Sequence, residues 1–287
     1  MPDPTVSLVI PTYGRAEHLK GLIVSVRASA PREAFEIVVV SSDSPATEKV
    51  QWLRQQPEVR LLLADVRRNP LRRKRSLYHY TNLGIRAARH DWVFVVNDDM
   101  TFDPAWYECF GRTLARPDGA SIGMVIAASH IGMASLGLRT AVIGRLRRAG
   151  GEWRDLHLSD VAIIRRDLLE TLGGFDERLQ WYGSGLDNTL ALEFLTQARI
   201  VVEPGIKITH AIARDGRQDS HLLAFRDFHY LKRKWDRWCR EHGCAYEWDP
   251  QIEPYTLPNR FKYGLQTARQ ELRNILKGLW LLWKQAA

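Results

Sequence analysis

Residues 92–99, with the sequence Trp-Val-Phe-Val-Val-Asn-Asp-Asp, join an uninterrupted run of five apolar residues to an amide and two adjacent carboxylates. A short apolar run rich in valine and phenylalanine is typical of a strand that is buried on both faces of a parallel sheet. Ligands of open α/β sheets bind just beyond the carboxyl ends of such strands. Two neighbouring acids at that position repel each other and favour a cation, and hard oxygen ligands suit Mg²⁺ or Mn²⁺. The stretch therefore predicts either a metal site or a solvated pair of aspartates after a core strand.

Strands alternate with helices on both sides of this stretch. Further strands are predicted at residues 7–10, 35–40, 59–63, 121–127, 161–164, 200–204 and 206–210, and helices at residues 16–29, 47–55, 77–89, 103–116 and 167–172. Alternation at this spacing predicts right-handed βαβ units and an α/β fold with a mostly parallel sheet flanked by helices. Pro11 is expected to end the first strand, and the glycine- and arginine-rich residues 129–158 are expected to be irregular. No GxGxxG or GxxxxGK[ST] motif follows the first strand, which disfavours dinucleotide-binding and P-loop proteins.

The composition indicates an anionic partner and a reducing compartment. The formal net charge is +8 and the isoelectric point is about 9.5, which would suit nucleotide phosphates, anionic lipid or nucleic acid. The three cysteines form no CxxC pair and no zinc-ligand set, so neither a disulfide framework nor a zinc site is indicated. The first residues lack a signal-peptide pattern, and no apolar stretch approaches the length of a membrane span. We therefore expect a cytoplasmic protein.

Five segments together carry a resemblance to a known family. They are residues 7–15 (Ser-Leu-Val-Ile-Pro-Thr-Tyr-Gly-Arg), 82–85 (Asn-Leu-Gly-Ile), 97–99 (Asn-Asp-Asp), 173–177 (Gly-Gly-Phe-Asp-Glu) and 208–210 (Ile-Thr-His). Each segment alone is modestly specific, but their order and spacing are strongly specific. The chain resembles the family-2-type inverting glycosyltransferases of the GT-A fold over roughly residues 5–212.

By this resemblance, the loop after the first strand cradles the base and ribose of a nucleotide. The matching residues are Pro11, Thr12, Tyr13 and Arg15. The tyrosine ring is suited to stacking on a base, and the alternative is that it caps the first helix. Asp43 lies where the family carries an acid that reads the base edge. The usual pair of acids is replaced there by Ser-Ser-Asp-Ser at residues 41–44, so the identity of the base is not predicted.

Residues 97–99 correspond to the family's Asp-x-Asp element. Asn97 replaces the first acid of that element, which lowers the negative charge available to a metal by one. Asp98 is expected to face the ribose. Asn97 and Asp98 are therefore expected to contact the nucleotide. Asp99 is the implied ligand of Mn²⁺ or Mg²⁺, and His210 matches a position that supplies a further metal contact in the family. A lone histidine is as often an ordinary hydrogen-bonded side chain, so both interpretations of His210 stay open.

A strongly basic loop at residues 67–75 is the candidate site for the diphosphate. Arg72 and Arg75, together with Arg73, carry forked donors and charge that suit phosphate oxygens. A run of charged residues more often forms a surface that faces solvent and binds no ligand, and this is the alternative for each of these arginines.

Transfer of a sugar to a hydroxyl also requires a base. The family usually carries Glu-Asp shortly before a helix, where this chain has Ser184 and Gly185. The nearest acid is Asp187, which we favour as the base that takes the hydroxyl proton, with a helix N-cap as the alternative. Asp176 and Glu177 are further candidates, and their simpler interpretation is a structural turn.

The α/β pattern stops beyond about residue 214. This predicts a domain at residues 1–214 and a basic, aromatic-rich helical extension at residues 215–287. The amphipathic residues 260–287 suit the surface of an anionic membrane, which would place the protein peripherally on the inner face of the membrane. Packing on the domain or on a second subunit explains the same pattern equally well. Nucleic acid is disfavoured as a partner, because no nucleic-acid motif accompanies the aromatic and basic residues.

Together these observations predict a metal-dependent, inverting glycosyltransferase. It would move a sugar from a nucleoside-diphosphate sugar to a hydroxyl of a glycan or lipid-linked glycan, in the synthesis of a cell-surface polysaccharide or glycolipid. The alternative is a catalytically inactive relative that binds a nucleotide or glycan as a scaffold module, which the departures at Asn97 and at residues 184–185 would suit.

Overall fold

The computed structural model describes residues 3–64, 76–131, 142–210, 221–248, 256–259, 261–266, 268–269 and 272. The strands are β1 (Val6–Thr12), β2 (Phe35–Ser41), β3 (Val59–Leu63), β4 (Trp92–Val95), β5 (Met100–Phe102), β6 (Ile122–Ile131), β7 (Val142–Arg147), β8 (Arg154–His157), β9 (Ala162–Arg165), β10 (Arg199–His210) and β11 (Ala245–Glu247). The helices are α1 (Ala16–Ser29), α2 (Glu48–Arg54), α3 (Leu77–Ala87), α4 (Trp106–Leu114), α5 (Arg166–Thr171), α6 (Ser184–Leu195) and α7 (His221–His242), with 3₁₀ turns at Arg32–Ala34 and Gly119–Ser121.

Within the described residues, eight strands form the central sheet, in the order β3-β2-β1-β4-β9-β6-β10-β5. The pairs β2–β3, β1–β2, β1–β4 and β6–β10 are parallel, as the alternation of strands and helices predicts. Strand β9 runs antiparallel between β4 and β6, and β5 runs antiparallel to β10 at the edge. The mostly parallel sheet is therefore confirmed, with antiparallel insertions that the sequence pattern does not predict.

The prediction that Pro11 ends the first strand is wrong, because β1 continues to Thr12. Pro11 pairs in register with Val40 of β2. Strand β4 pairs with β1 only as far as Val9, so the missing N–H of the proline leaves no bond of the β1–β4 ladder unmade. A proline is tolerated in a strand at such a position.

The core has two layers, one on each face of the central sheet. Alternate residues of β1 point to opposite faces: Leu8 and Ile10 pack with α1 and α4, whereas Val9 packs with α3, α6 and α7. Leu231 and Trp235 of α7 are buried in the second layer. The first helix of the predicted C-terminal extension is therefore part of the same hydrophobic core as the sheet.

A smaller sheet contains two strands from residues 129–158, which the sequence predicts to be irregular. That prediction is wrong for these two strands. Strands β7 and β8 form an antiparallel hairpin, and β11 pairs with β7 after helix α7. Alternating Arg and apolar residues in β7 expose one face and bury Leu146, which hides the strand from a search for continuous apolar runs.

Among the described residues, none of the helices has the length and the apolar composition that a membrane span requires.

Gly84 is a point of close contact between α3 and the sheet. A Cβ atom at this position would lie 2.4 Å from Cγ1 of Val9 and 3.1 Å from Cγ2 of Val40. Since added volume in a packed core costs roughly 1–3 kcal/mol, we expect Gly84→Ala to lower the free energy of unfolding by about that amount in denaturant melts. Gly21 of α1 is the matched control, because no heavy atom lies within 4 Å of its Cβ position. Gly21→Ala should stabilise the protein by about 0.5–1 kcal/mol, and equal stability of the Gly84→Ala variant and the wild type would contradict the close contact.

Candidate active site

The loop that follows β1 turns sharply because two successive residues adopt left-handed backbone conformations. Gly14 has a φ of 67°, and Arg15, at the N-cap of α1, has a φ of 47°. A left-handed conformation is unfavourable for a residue with a Cβ atom, by roughly 1–3 kcal/mol. Two ion pairs offset this cost, since Nη1 of Arg15 lies 3.3 Å from Oδ1 of Asp98 and 3.0 Å from Oδ2 of Asp99.

Both aspartates are almost fully buried at the turn that leads from β4 to β5. The N–H of Met100 donates to the carbonyl of Asn97 over 3.3 Å, which places Asp98 and Asp99 inside the turn. Thr12 donates its hydroxyl to Oδ2 of Asp98 over 2.7 Å. Burial raises the pKa of Asp98, and the hydrogen bond from Thr12 and the charge of Arg15 counteract that shift.

Asp99 also faces His210, at the end of β10. Antiparallel pairing of β10 with β5 sets His210 opposite Met100, and Nε2 of His210 lies 2.9 Å from Oδ1 of Asp99. Nε2 is buried and makes no hydrogen bond of acceptable geometry within the described residues. The structure thus brings together the two residues that were predicted as metal ligands. No set of three His, Cys, Asp or Glu side chains in the described ranges is arranged to hold a metal ion by itself.

Asp43 and Lys49 form an ion pair beneath the same loop. Lys49 is 5% exposed and also donates to the hydroxyl of Thr12 over 3.1 Å and to the carbonyl of Gly14 over 2.6 Å. The N–H of Gly14 donates to Asp43 over 3.0 Å. Desolvation acts to raise the pKa of Asp43, but the hydrogen bonds from Lys49 and Gly14 outweigh it and hold the pKa below its usual range. Lys49 was missed by the sequence analysis, because its link to residues 12–14 depends on how α2 packs.

The remaining residues predicted for the nucleotide lie on the same edge or outside the described ranges. Pro11 lies one residue before the end of β1, and Tyr13 is 58% exposed. The basic loop with Arg72 and Arg75 is outside the described residues. The structure therefore groups the predicted residues Thr12, Arg15, Asp43, Asp98, Asp99 and His210 at the carboxyl edge of the sheet.

Asp187 lies in the first turn of α6 and contacts α7. Nζ of Lys234 donates to both of its carboxylate oxygens, over 2.7 and 2.8 Å, and Nε1 of Trp235 donates to Oδ1 over 2.7 Å. Burial raises the pKa of Asp187, and the charge of Lys234 counteracts the shift. The carboxylate lines an open cavity of about 360 Å³ together with Asp176 and Lys234.

The turn at residues 173–177 is held by its neighbours. Asn82 accepts a hydrogen bond from the N–H of Phe175 over 2.8 Å and donates one to its carbonyl over 2.9 Å. Glu177 contacts Asn82 and His79, and Asp176 accepts from Tyr230 over 2.7 Å and from Lys234 over 3.0 Å. These contacts are those of a structural turn, which was the simpler interpretation of the two acids.

Asp227 of α7 fixes the loop that precedes α6 and was not found by sequence reasoning. Its carboxylate accepts hydrogen bonds from the backbone N–H groups of Gln180, Trp181 and Tyr182, over 3.0, 2.8 and 2.9 Å. Because these donors lie far from Asp227 in the sequence, no local pattern indicates the contact. The loop carries the half-exposed Trp181 and ends at Gly183, with a φ of 83°.

Comparisons with known proteins agree on one family. The model of the family described as "Glycosyl transferase family 2" matches residues 7–172. The O-antigen biosynthesis protein RfbC of Myxococcus xanthus is 26% identical over 291 residues, which cover 92% of this chain and 21% of that protein. The chain thus spans only about a fifth of the length of this relative.

Two solved structures have a similar fold. TarS of S. aureus superposes with a TM-score of 0.57 at 16% identity, covering 77% of this chain and 62% of the TarS chain. The mannosyltransferase PcManGT of Pyrobaculum calidifontis, solved with GDP-Man and Mn²⁺, gives a TM-score of 0.57 at 17% identity, covering 99% of this chain and 79% of that chain.

The ion pair between Asp43 and Lys49 makes a pH-dependent contribution to stability. Asp43→Asn leaves a buried lysine without its counter-charge, and breaking a buried ion pair in this way costs roughly 3–5 kcal/mol, so we expect a loss near the lower end of that range at pH 7. The folded-state pKa of Asp43 is lowered, so its contribution is present above the unfolded-state pKa of about 3.9 and is lost as the pH falls through the folded-state value. The free energies of unfolding of the wild type and of Asp43→Asn, measured in denaturant melts, should approach each other below about pH 4. Asp155→Asn is the control, because Asp155 of β8 is exposed. A difference in stability between wild type and Asp43→Asn that does not change with pH would contradict the ion pair.

Proposed function

The chain belongs to glycosyl transferase family 2 and is a glycosyltransferase with a GT-A-type fold, and we propose that it transfers a sugar from a nucleoside-diphosphate sugar to a hydroxyl of a glycan or lipid-linked glycan. We propose further that the transfer depends on a divalent cation and inverts the anomeric configuration. The observation that carries the proposal is the group formed by Asp98, Asp99, Arg15 and His210 at the carboxyl edge of the sheet.

The pocket around β1 has the chemistry that a nucleotide requires. The exposed ring of Tyr13 offers a stacking surface, and Asp43 offers a carboxylate to the base. Asn97 and Asp98 are the proposed contacts with the ribose. TarS has been solved with UDP and with UDP-GlcNAc, and PcManGT with GDP-Man. These complexes support a nucleoside-diphosphate sugar as the donor. Arg72 and Arg75 remain the proposed contacts with the diphosphate.

Asp99 and His210 are the residues that would hold Mn²⁺ or Mg²⁺. The unbonded Nε2 of His210 next to the Asp99 carboxylate fits a cation, and such ions usually complete their coordination with phosphate oxygens and water. A bound cation would offset negative charge on the diphosphate. The guanidinium of Arg15 already lies against both aspartates, so the chain itself supplies further positive charge at this position.

The transfer also needs a group that accepts the proton of the acceptor hydroxyl. Asp187 is the base proposed from the sequence, and Lys234 and Trp235 bind its carboxylate. The alternative function, a catalytically inactive scaffold that binds a nucleotide or glycan, is favoured by the Ser-Gly pair at residues 184–185 where the family carries two acids. Turnover by the wild type would exclude that alternative.

The biological context is proposed from the relatives and from the C-terminal residues. The name of RfbC refers to O-antigen biosynthesis, and chondroitin synthase of Escherichia coli is 27% identical over 117 residues. Both names support a role in polysaccharide biosynthesis. Leu257, Phe261 and Leu265 recur at a spacing of four residues and are 75%, 72% and 42% exposed, which supports a peripheral contact of the proposed extension, residues 215–287, with the membrane.

Nucleotide binding can be tested by thermal shift with UDP and GDP, each with and without Mn²⁺. A ligand at one hundred times its dissociation constant stabilises the folded state by roughly 2.7 kcal/mol. For a chain of this size we expect the melting temperature to rise by about 5 °C or more with one nucleotide and Mn²⁺. Asp99→Ala and His210→Ala should abolish the metal-dependent part of the shift, whereas Asp155→Ala should keep it. No shift of the wild type with either nucleotide at millimolar concentration would contradict the donor pocket.

Membrane contact can be tested by flotation with vesicles that contain anionic phospholipid. Replacing Leu257, Phe261 and Leu265 together by serine removes the exposed apolar surface of the C-terminal segment, so we expect the floating fraction to fall several-fold. Val24→Ser on α1 is the matched control, since Val24 is a similarly exposed apolar residue at 58%. If the triple variant floats as well as the wild type, the proposed contact is wrong.

A further inference from the structure

The acids that the sequence marks as functional are already bound to cations. Arg15 pairs with the aspartates at residues 98–99, Lys49 pairs with Asp43, and Lys234 pairs with Asp187. In the case of Asp187, the ammonium group of Lys234 donates to both carboxylate oxygens, so an acceptor hydroxyl would have to displace a hydrogen bond to reach either oxygen. A base for the proposed reaction is therefore better sought in a carboxylate that no cation holds.

Asp160 lies where a side chain at residue 185 would project. A Cβ atom built on Gly185 would be 2.4 Å from Oδ1 of Asp160, 2.6 Å from its backbone N and 2.8 Å from the carbonyl carbon of Ser159. Real Cβ atoms do not approach other atoms this closely, so no other residue fits at position 185 unless the backbone at residues 159–160 moves. The Asp160 carboxylate therefore occupies the space that residue 185 leaves empty.

The backbone at Asp160 is fixed to the first turns of α6. The hydroxyl of Ser159 donates to the carbonyl of Gly185 over 2.6 Å, and the hydroxyl of Thr189 donates to Oγ of Ser159 over 2.9 Å. Ser159 and Thr189 are both buried. The carboxylate of Asp160 is thereby held beside the N-terminal turn of α6, where backbone N–H groups carry partial positive charge.

Asp160 is also exposed, and its carboxylate feels the charge of His210. Its side chain is exposed, and among the described residues no donor makes a hydrogen bond or ion pair with its carboxylate. Surrounding protein nevertheless desolvates the group and raises its pKa, and the charge of His210 counteracts that shift.

We propose that Asp160, rather than Asp187, is the general base of the transfer. The proposal rests on the proposed glycosyltransferase function. As the acceptor oxygen forms its bond with the anomeric carbon of the donor sugar, the hydroxyl proton passes to a carboxylate oxygen of Asp160. The bond between the anomeric carbon and the diphosphate oxygen breaks, and its electron pair leaves with the nucleoside diphosphate. Asp187 instead holds Lys234 and Trp235 of α7 against the start of α6.

The test compares Asp160→Asn, Asp187→Asn and the control Asp155→Asn in the chain of 287 residues. The assay follows nucleoside diphosphate released from UDP-GlcNAc and GDP-mannose, with water or an alkyl glycoside as the acceptor. Because a positioned base contributes typically 10²–10⁴-fold, we expect kcat of Asp160→Asn to fall by about that factor while the thermal shift with the nucleotide is unchanged. Asp155→Asn should behave like the wild type, and formate should restore part of the turnover of Asp160→Gly.

Three results would overturn the proposal, and they are distinguishable from one another. If Asp160→Asn keeps more than about a tenth of the wild-type turnover and Asp187→Asn does not, Asp187 is the base. If Asp160→Asn also loses the nucleotide-dependent thermal shift and formate does not restore turnover, the role of Asp160 is structural. If the wild type binds nucleotides but releases none of them from either donor, the glycosyltransferase function fails, and with it the assignment of a base.

Discussion

Two adjacent buried carboxylates, Asp98 and Asp99, impose the main electrostatic constraint on this molecule. Removing a carboxylate from water costs several kcal/mol unless a cation and hydrogen bonds compensate. Here the compensation comes from a distant part of the chain: the guanidinium of Arg15 from the loop after β1 and the hydroxyl of Thr12 at the end of β1. The strained left-handed conformation of Arg15 is stable because it delivers a guanidinium group to both acids. The same arrangement leaves a compact, charged pocket at the carboxyl edge of the sheet.

This constraint is satisfied only if the strand register is correct. Val9 of β1 pairs with Val95 of β4, and the N–H of Val96 continues the ladder to the carbonyl of Val9. A slip of one residue would turn the alternating side chains of β1 to the opposite faces of the sheet and would take Thr12 away from Asp98. The two buried layers on either side of β1 prevent such a slip, because each accepts only one set of alternate residues. Hydrophobic packing thus fixes the geometry of the polar site.

Sequence patterns reveal the parts of this molecule that depend on local composition. The continuous apolar runs of β1, β2 and β4 and the periodic apolar face of α1 predict the parallel half of the sheet. The antiparallel direction of β9 is not visible, since its residues Ala-Ile-Ile-Arg are as apolar as those of a parallel neighbour. The site follows the same rule: Arg15, Asp98, Asp99 and His210 are found through motifs, whereas Lys49 and Asp227 act through contacts that only the packed helices α2 and α7 create.

The neighbourhood of Gly185 shows why a motif and a site are different things. A motif is read at fixed positions of the chain, and at residues 184–185 this chain has no acid. A reaction requires a carboxylate at a point in space, and the backbone can deliver one from either side of that point. The close approach of residues 159–160 to α6 is possible only because residue 185 has no side chain. The glycine and Asp160 are therefore two halves of one packing arrangement, and the loss of an acid on the helix is the condition that lets an acid enter from the β8–β9 connection.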